Sequence, residues 1–396
     1  ADIMQEGDEI VDGSETVIYT LQPQASLTVI DQSTGEVKAI VGGRGDKTAS
    51  KTLNRATDTT RQPGSTFKIL AAYSAALDAG GLTLASVQDD APYTYAGANG
   101  KSVNNYDRRY RGFTTLREAI TDSINIVTVK TLAQAGVSLG WQYVQEYGFT
   151  TVDSRDMNEA LALGGITQGV SNLELTAAYA AIANQGTYIK PKFYTKILDH
   201  DGNVLIDNTT PESHTVIKDT TAWLLTSAME DVMTSGTGTS AYFGSSMAQA
   251  GKSGTTTSSR DALFAGYTPY YTCAVWGGYD DNAMQKGSDT NYPKRIWKAV
   301  MKRIHENLAY KDFTKPSGIV AVAVCKESGK LPIEGVCDHD PRGNCVITEY
   351  FAQGTEPTEY CDHHTVANIC TASNMLAGSY CPAETVTTGV YVTGGS

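Results

Sequence analysis

The spacing of apolar positions changes character twice along this 396-residue chain. Strand-like runs, Ser26 to Ile30 and Glu36 to Val41, open it. Between Ser65 and Leu77 the apolar residues Ile69, Leu70, Tyr73, Ala76 and Leu77 recur at three and four, which predicts a helix. Pro63-Gly64 breaks the chain before it and Gly80-Gly81 ends it. The middle stays helical. Thr115-Leu116-Arg117-Glu118 is a capping box ahead of an apolar stripe of Leu116, Ala119 and Ile120, and helical runs follow over Ile126 to Ala135 and Asn172 to Ala183. Asp201-Gly202 marks a hairpin between Thr195–Leu198 and Val204–Ile206. After Lys252 the period returns to that of strands: Asp261 to Tyr267 and Tyr271 to Tyr279 read as a hairpin around Thr268-Pro269, with the Lys252 segment as the strand before them. Strands at both ends with helices between predict one sheet built from both ends of the domain.

Composition narrows the class. Hydrophobic residues at 41% and charged residues at 19% suit a globular protein large enough for a sizeable core and for more than one typical domain. A net charge of −12 argues against nucleic acid as a partner. The densest basic cluster (Lys294, Arg295, Lys298, Lys302, Arg303) has helical spacing and reads as a solvated helix face. Apolar runs such as Ile319 to Val324 are too short to span a bilayer, and the acidic start Ala1-Asp2-Ile3-Met4-Gln5-Glu6 does not read as a secretory leader. Cys273 falls in an apolar strand and reads as a buried, idle thiol. The other six cysteines (Cys325, Cys337, Cys345, Cys361, Cys370, Cys381) crowd into a small module beyond a boundary near Gly318.

Three short motifs carry the candidate chemistry. Ser65-Thr66-Phe67-Lys68 is the sole Ser-x-x-Lys, and it puts a hydroxyl in the first turn of a predicted helix with an amine three residues on, on the same face. A serine is a poor nucleophile until a base takes its proton, and a buried lysine beside a second cation can lose its own proton near neutral pH. Lys252-Ser253-Gly254-Thr255 offers a cation and two hydroxyls for a carboxylate, with Gly254 leaving a bare strand edge where a substrate backbone can approach. Ser-x-Asn occurs twice. Ser102-Val103-Asn104 lies in a loop-like stretch, Gly97 to Gly112, whereas Ser123-Ile124-Asn125 sits between two predicted helices and is therefore the one chosen. Each motif alone is commonly just a turn or a cap.

Together and in this order, Ser65-x-x-Lys68, Ser123-x-Asn125 and Lys252-Ser253-Gly254 resemble the penicillin-recognising serine acyltransferases. The flanking words Asn54-Arg55-Ala56, Arg61-Gln62-Pro63-Gly64-Ser65, Ala160-Leu161-Ala162-Leu163-Gly164-Gly165 and Ala274-Val275-Trp276-Gly277-Gly278-Tyr279-Asp280 are similar to the transpeptidase domain of bifunctional (class A) penicillin-binding proteins, over about Ser26 to Met301. Ser253 stands where threonine is commoner. The resemblance implies an α+β fold: an antiparallel sheet flanked by helices, an all-helical subdomain contributing Ser123, and here a cysteine-rich C-terminal module. With the boundary near Gly318, the chain is expected to divide into a linker remnant (1–25), the transpeptidase domain (26–318) and the module (319–396).

The implied activity is D,D-transpeptidation of peptidoglycan stem peptides through an acyl-enzyme, with β-lactams as covalent inhibitors and no metal or organic cofactor. Ser65 is then the nucleophile and Lys68 its base. Ser123 relays a proton, Lys252 polarises it, and Asn125 holds the substrate amide and Lys68. Ser253, Gly254 and Thr255 bind the substrate's terminal carboxylate strand. Members of the family are membrane-anchored, face outward and carry a glycosyltransferase domain ahead of this one. The chain accordingly reads as an extracytoplasmic piece without anchor or glycosyltransferase. Two rival readings are a serine β-lactamase, whose usual glutamate has only Glu159 as a poorly fitting candidate, and a non-catalytic β-lactam sensor. In an extracytoplasmic setting the six late cysteines are expected to form three disulfides. The competing expectation is a metal site of Cys361, His363 or His364, and Cys370.

Overall fold

The structure, a computed structural model, describes residues 22–393 except 48, 97–99 and 286–289. The first 21 residues of the linker expected over 1–25 lie outside the described residues, and Gln24 and Ala25 already belong to the first strand.

Five antiparallel strands make the central sheet, in the order Ala250–Thr255, Asp261–Tyr267, Thr272–Gly278, Gln24–Asp31, Glu36–Val41. The first strand of the domain thus pairs with the last (Leu27 opposite Val275), and the sheet is closed from both ends as the sequence pattern predicts. Its middle strands are buried throughout, because each face has its own core. Leu263, Ala265, Tyr267, Ala274 and Trp276 enter the large helical core, while the alternate residues Phe264, Cys273 and Val275 pack with Trp297 and Met301 of the helix Tyr292–Ile304. This is the two-residue period of a strand read out as two cores. Cys273 is fully buried there, and burial pushes its thiol pKa up. Of the basic cluster expected to form a solvated helix face, Arg295, Lys302 and Arg303 of the helix Tyr292–Ile304 are exposed, whereas Lys294 and Lys298 are half-buried and burial holds the Lys294 pKa down.

The helix expected from Ser65 is present but wound differently. It opens as a single tight turn, Gly64–Thr66, widens into a π-helical turn over Lys68–Tyr73, and becomes α-helical over Ser74–Asp78. Ile69 O accepts both the backbone N–H of Ser74 and, at 2.8 Å, its hydroxyl, which fixes the wide turn. Phe67 to Ala76 are all buried, so the helix is enclosed on every side and its polar groups need internal partners. Tyr73 pairs with Thr128, Ser74 with Tyr147, and the Tyr179 hydroxyl donates to Thr66 O at 2.7 Å.

Beyond residue 318 the hairpin Ile319–Cys325/Val346–Ala352 and the sheet of His364–Cys370, Met375–Leu376 and Val386–Val392 form the terminal module. All seven cysteines are free thiols, contrary to the three expected disulfides. Cys325, Cys337 and Cys361 instead gather around His364, an odd number of sulfurs that pairing cannot consume, and Cys370 lies beside Cys381. The module docks through Arg117. Its Nε and Nη2 each reach the fully buried Glu349 at 2.7 Å, and its Nη1 reaches Asp231 at 2.6 Å.

Arg117→Met would leave the Glu349 carboxylate buried without its cation. Breaking one side of a buried pair typically costs about 3–5 kcal/mol. The thermal unfolding midpoint should therefore fall by several degrees, with Glu349→Gln falling less. An unchanged midpoint for Arg117→Met would show that the module does not depend on this pair.

Candidate active site

Backbone packing brings the three motifs together. Gly64, at φ +54°, lies so close to the edge strand Ala250–Thr255 that a Cβ there would sit 3.1 Å from Thr255 O. A Cβ on Gly254 would come within 2.7 Å of Pro63 O, and one on Gly164 within 2.5 Å of Gly64 O. The face of Gly254 on which a Cβ would stand is thus filled by the turn that carries Ser65, while the strand itself lies at the end of the sheet order, its outer edge unpaired within that sheet among the described residues. Ser65 itself is half-buried, with the half-buried Thr255 on the strand that flanks its turn.

Lys68 and Lys252 come from distant elements, yet both are fully buried and both bond the Ser123 hydroxyl, at 3.2 and 2.8 Å. Lys68 also reaches Ser123 O at 2.6 Å and Asn125 Oδ1 at 2.7 Å, and Lys252 reaches Ser253 O at 3.2 Å. All of these acceptors are neutral. Burial first, and the Lys252 charge second, hold the Lys68 pKa well below the ordinary lysine value. Burial, with Lys294 adding to it, brings Lys252 down to about 7. A neutral amine has two N–H groups and one lone pair. At Lys68 the two short bonds to carbonyl-type oxygens use both N–H groups, which leaves the lone pair for a hydroxyl.

Ser123 closes the helix Leu116–Thr121. Its N–H bonds Ile120 O and that of Ile124 bonds Ala119 O, with Ser123 at φ +58°. This is a Schellman end, at whose left-handed position glycine is usual. Serine there costs about 1–3 kcal/mol of backbone strain, and what it adds over glycine is the hydroxyl that both lysines bond.

Asn125 Nδ2 donates to Asn104 O at 2.7 Å. The alternative pair thus touches the site through one backbone carbonyl only, and Ser102 and Asn104 are both exposed. Two supports escaped the sequence reading. Asn105 Oδ1 accepts from Asn125 N at 3.0 Å and Ile126 N at 3.2 Å, capping the helix Asn125–Ala135, while its amide is tied to both oxygens of the buried Asp90. The Ser253 hydroxyl donates to Thr237 Oγ1 at 2.8 Å. Asn105 reads as one more polar residue of a loop, and Thr237 has no local motif. Glu159 has its carboxylate engaged by the Tyr93 hydroxyl and Ala96 N, at 3.0 and 2.9 Å. The clusters of metal-ligating side chains found among the described residues lie in the terminal module, away from these lysines.

Residues 25–305 match the family described as penicillin binding protein transpeptidase domain, and residues 315–366 match penicillin-binding protein 1A, C-terminal domain. Penicillin-binding protein 1A of Clostridium botulinum (strain Langeland) is 37% identical over 392 residues, covering 96% of this chain and 46% of that protein. Penicillin-binding protein 1F of Bacillus subtilis is 38% identical over 304 residues, 75% of this chain and 41% of that protein. The chain spans less than half the length of these curated relatives. In fold it is similar to the crystal structure of penicillin-binding protein 1A from Haemophilus influenzae, with a TM-score of 0.73 at 27% identity, over 86% of this chain and 54% of that one. A serine-bearing turn clamped on a Lys-Ser-Gly strand, two buried lysines on one hydroxyl, and a match over most of the domain agree: the chain belongs to the penicillin-binding protein transpeptidase family.

Proposed function

We propose that the chain is a serine-type D,D-transpeptidase acting on peptidoglycan stem peptides, with residues 26–318 as the catalytic domain and 319–396 as an appended module. The observation that carries the reading is the Lys68–Ser123–Lys252 chain of hydrogen bonds beside the Ser65 turn. Lys68 Nζ takes the Ser65 proton, and Ser65 Oγ bonds the carbonyl carbon between the two terminal D-alanines. Backbone N–H groups of Ser65 and Thr255 hold the oxyanion, a type of contact worth about a hundredfold or more per donor. The proton passes through Ser123 to the departing D-alanine nitrogen as the C–N bond breaks, and the Lys252 charge favours that transfer. Asn125 fixes Lys68, and Ser253 and Thr255 hold the terminal carboxylate. An amine of a second stem then attacks the ester, and its proton returns by the same lysine.

β-Lactams would acylate Ser65 in place of the stem peptide. Glu159, bonded to Tyr93 and Ala96, supplies no base for water, which favours transfer over the β-lactamase reading. The working location is the outer face of the bacterial cytoplasmic membrane. None of the described helices is long and apolar enough to cross a membrane.

Labelled penicillin should attach to Ser65, as found by peptide mapping, and Ser65→Ala should take no label. Lys68→Arg keeps the charge but cannot serve as base, so acylation should slow by about 10²-fold or more. Acylation of Ser65→Ala, or a parent-like rate for Lys68→Arg, would remove these assignments.

The pH profile of acylation follows from the two shifts. Lys68 must be neutral, so the rate climbs as pH rises past its depressed pKa. Lys252 must be charged, so the rate declines as pH rises through about 7. Lys252→Arg should abolish the alkaline decline and keep the acid limb. A flat profile for the parent would be incompatible with this division of roles.

The penicillin adduct should persist for hours in intact-mass spectra. Rapid, repeated turnover of nitrocefin would instead identify a β-lactamase.

A further inference from the structure

We infer that Cys325, Cys337, Cys361 and His364 bind a structural zinc ion that holds the terminal module together. The three Sγ atoms and one imidazole nitrogen lie within 4.8 Å of one another, and all four residues are buried. His364 Nδ1 is 3.4 Å from Cys325 Sγ and 3.3 Å from Cys361 Sγ. Tetrahedral zinc, at about 2.3 Å from sulfur and about 2.0–2.1 Å from nitrogen, spaces its ligand atoms about 3.5–3.8 Å apart. The two nitrogen–sulfur distances fall just short of that spacing, and all four atoms stay within 4.8 Å of one another.

The partner of the other ring nitrogen points the same way. His364 Nε2 bonds Asp340 Oδ2 at 2.9 Å, and Asp340 is clamped by Arg342 at 2.7 and 3.0 Å. A carboxylate accepts only, so Nε2 carries the proton and the Nδ1 lone pair faces the sulfurs. A carboxylate orienting a zinc-binding imidazole is the usual outer support of such sites. Ile333 N also donates to Cys337 Sγ at 3.3 Å, as suits a thiolate.

Neighbouring candidates drop out. His363 Nδ1 bonds Glu327 O and its ring stacks on Phe113 at 4.1 Å, so it faces away. Cys345 is directed to Gly343 O and Glu327, and Cys370 bonds Thr385. Of the metal set drawn from the sequence, Cys361 and His364 stay, and Cys325 and Cys337 take the place of Cys370.

The module also needs such a device. Its inner cluster consists of Cys325, Cys337, Cys345 and Cys361 with Ile333 and Val346 against it, and small modules with little core rely on cross-links or metals. The four ligands stand at the end of the strand Ile319–Cys325, in the turn Cys337–His339, just after the Leu331–Tyr360 bridge, and at the start of the strand His364–Cys370. One ion would therefore join both sheets of the module. A disulfide would take two of the three sulfurs and leave one thiol and the imidazole without a role.

The test uses the full chain, purified without chelator. Elemental analysis should find about one zinc per chain, retained in Cys345→Ser and Cys381→Ser and lost at least about tenfold in Cys361→Ser and His364→Ala. Cobalt(II) exchanged into the unmutated chain should give a thiolate-to-cobalt charge-transfer band, a readout that survives if the variants fold poorly. In the unmutated chain Cys325, Cys337 and Cys361 should all become alkylatable after chelation, with no reductant. A metal-free chain in which two of these three need reduction before alkylation would overturn the inference, as would zinc that persists in both ligand variants.

Discussion

Two lysine side chains from opposite ends of the domain meet on one serine hydroxyl, and the oxygens they bond are all neutral. Burying a cation without a counter-ion costs several kcal/mol unless the group gives up its proton. The rest of the domain has to hold this arrangement against that cost. Lys68 rides on a helix buried on all sides, and Lys252 on a strand locked in register by Asp261–Tyr267. The two elements touch through Gly64 and Gly254, where a single Cβ would push them apart. Neither lysine can turn to solvent without dismantling a core. The consequence is chemical: Lys68, three residues after Ser65, is held where relaxation to a hydrated ammonium is structurally closed to it, as its proposed role as base requires.

The framework was legible because each element carried its own period or punctuation. The sheet strands alternate between two cores, Thr115 and Glu118 form their reciprocal cap, and Pro63-Gly64 sets the turn at Ser65. The wide turn over Lys68–Tyr73 was not legible, since a helix enclosed by apolar neighbours has no polar face against which to count the period. Asn105 and Asp90 were missed because their meaning lies in contacts made across the fold to the start of another helix. Gly254 was read for the right property, lack of a side chain, but the turn that packs on its bare face was not foreseen, because sequence shows that a surface must be bare and not what will cover it.

The cysteines show the same limit. Six thiols in a poor core argue for some cross-link, and disulfides follow if compartment is the sole guide. Three sulfurs meeting at one imidazole is a fact of three-dimensional convergence among strand ends, and spacing in the chain does not reveal it.

The terminal module contacts the elements that lead into the Ser123 position. A non-glycine residue at φ +58° persists only where its surroundings over-determine it. On the upstream side, the helix Leu116–Thr121 is fixed by its capping box and by Arg117, which ties it to Glu349 of the module and to Asp231. The strand before it, Gly112–Thr115, is held by Phe113 stacked on His363, next to the candidate zinc ligand His364. On the downstream side, Asn105 pins the first N–H groups of the helix Asn125–Ala135. The strained link between the two helices is thus clamped from both ends, and one of the clamps belongs to the module. One arginine and one aromatic stack connect the module to the two elements that lead into the residue whose hydroxyl the two lysines share.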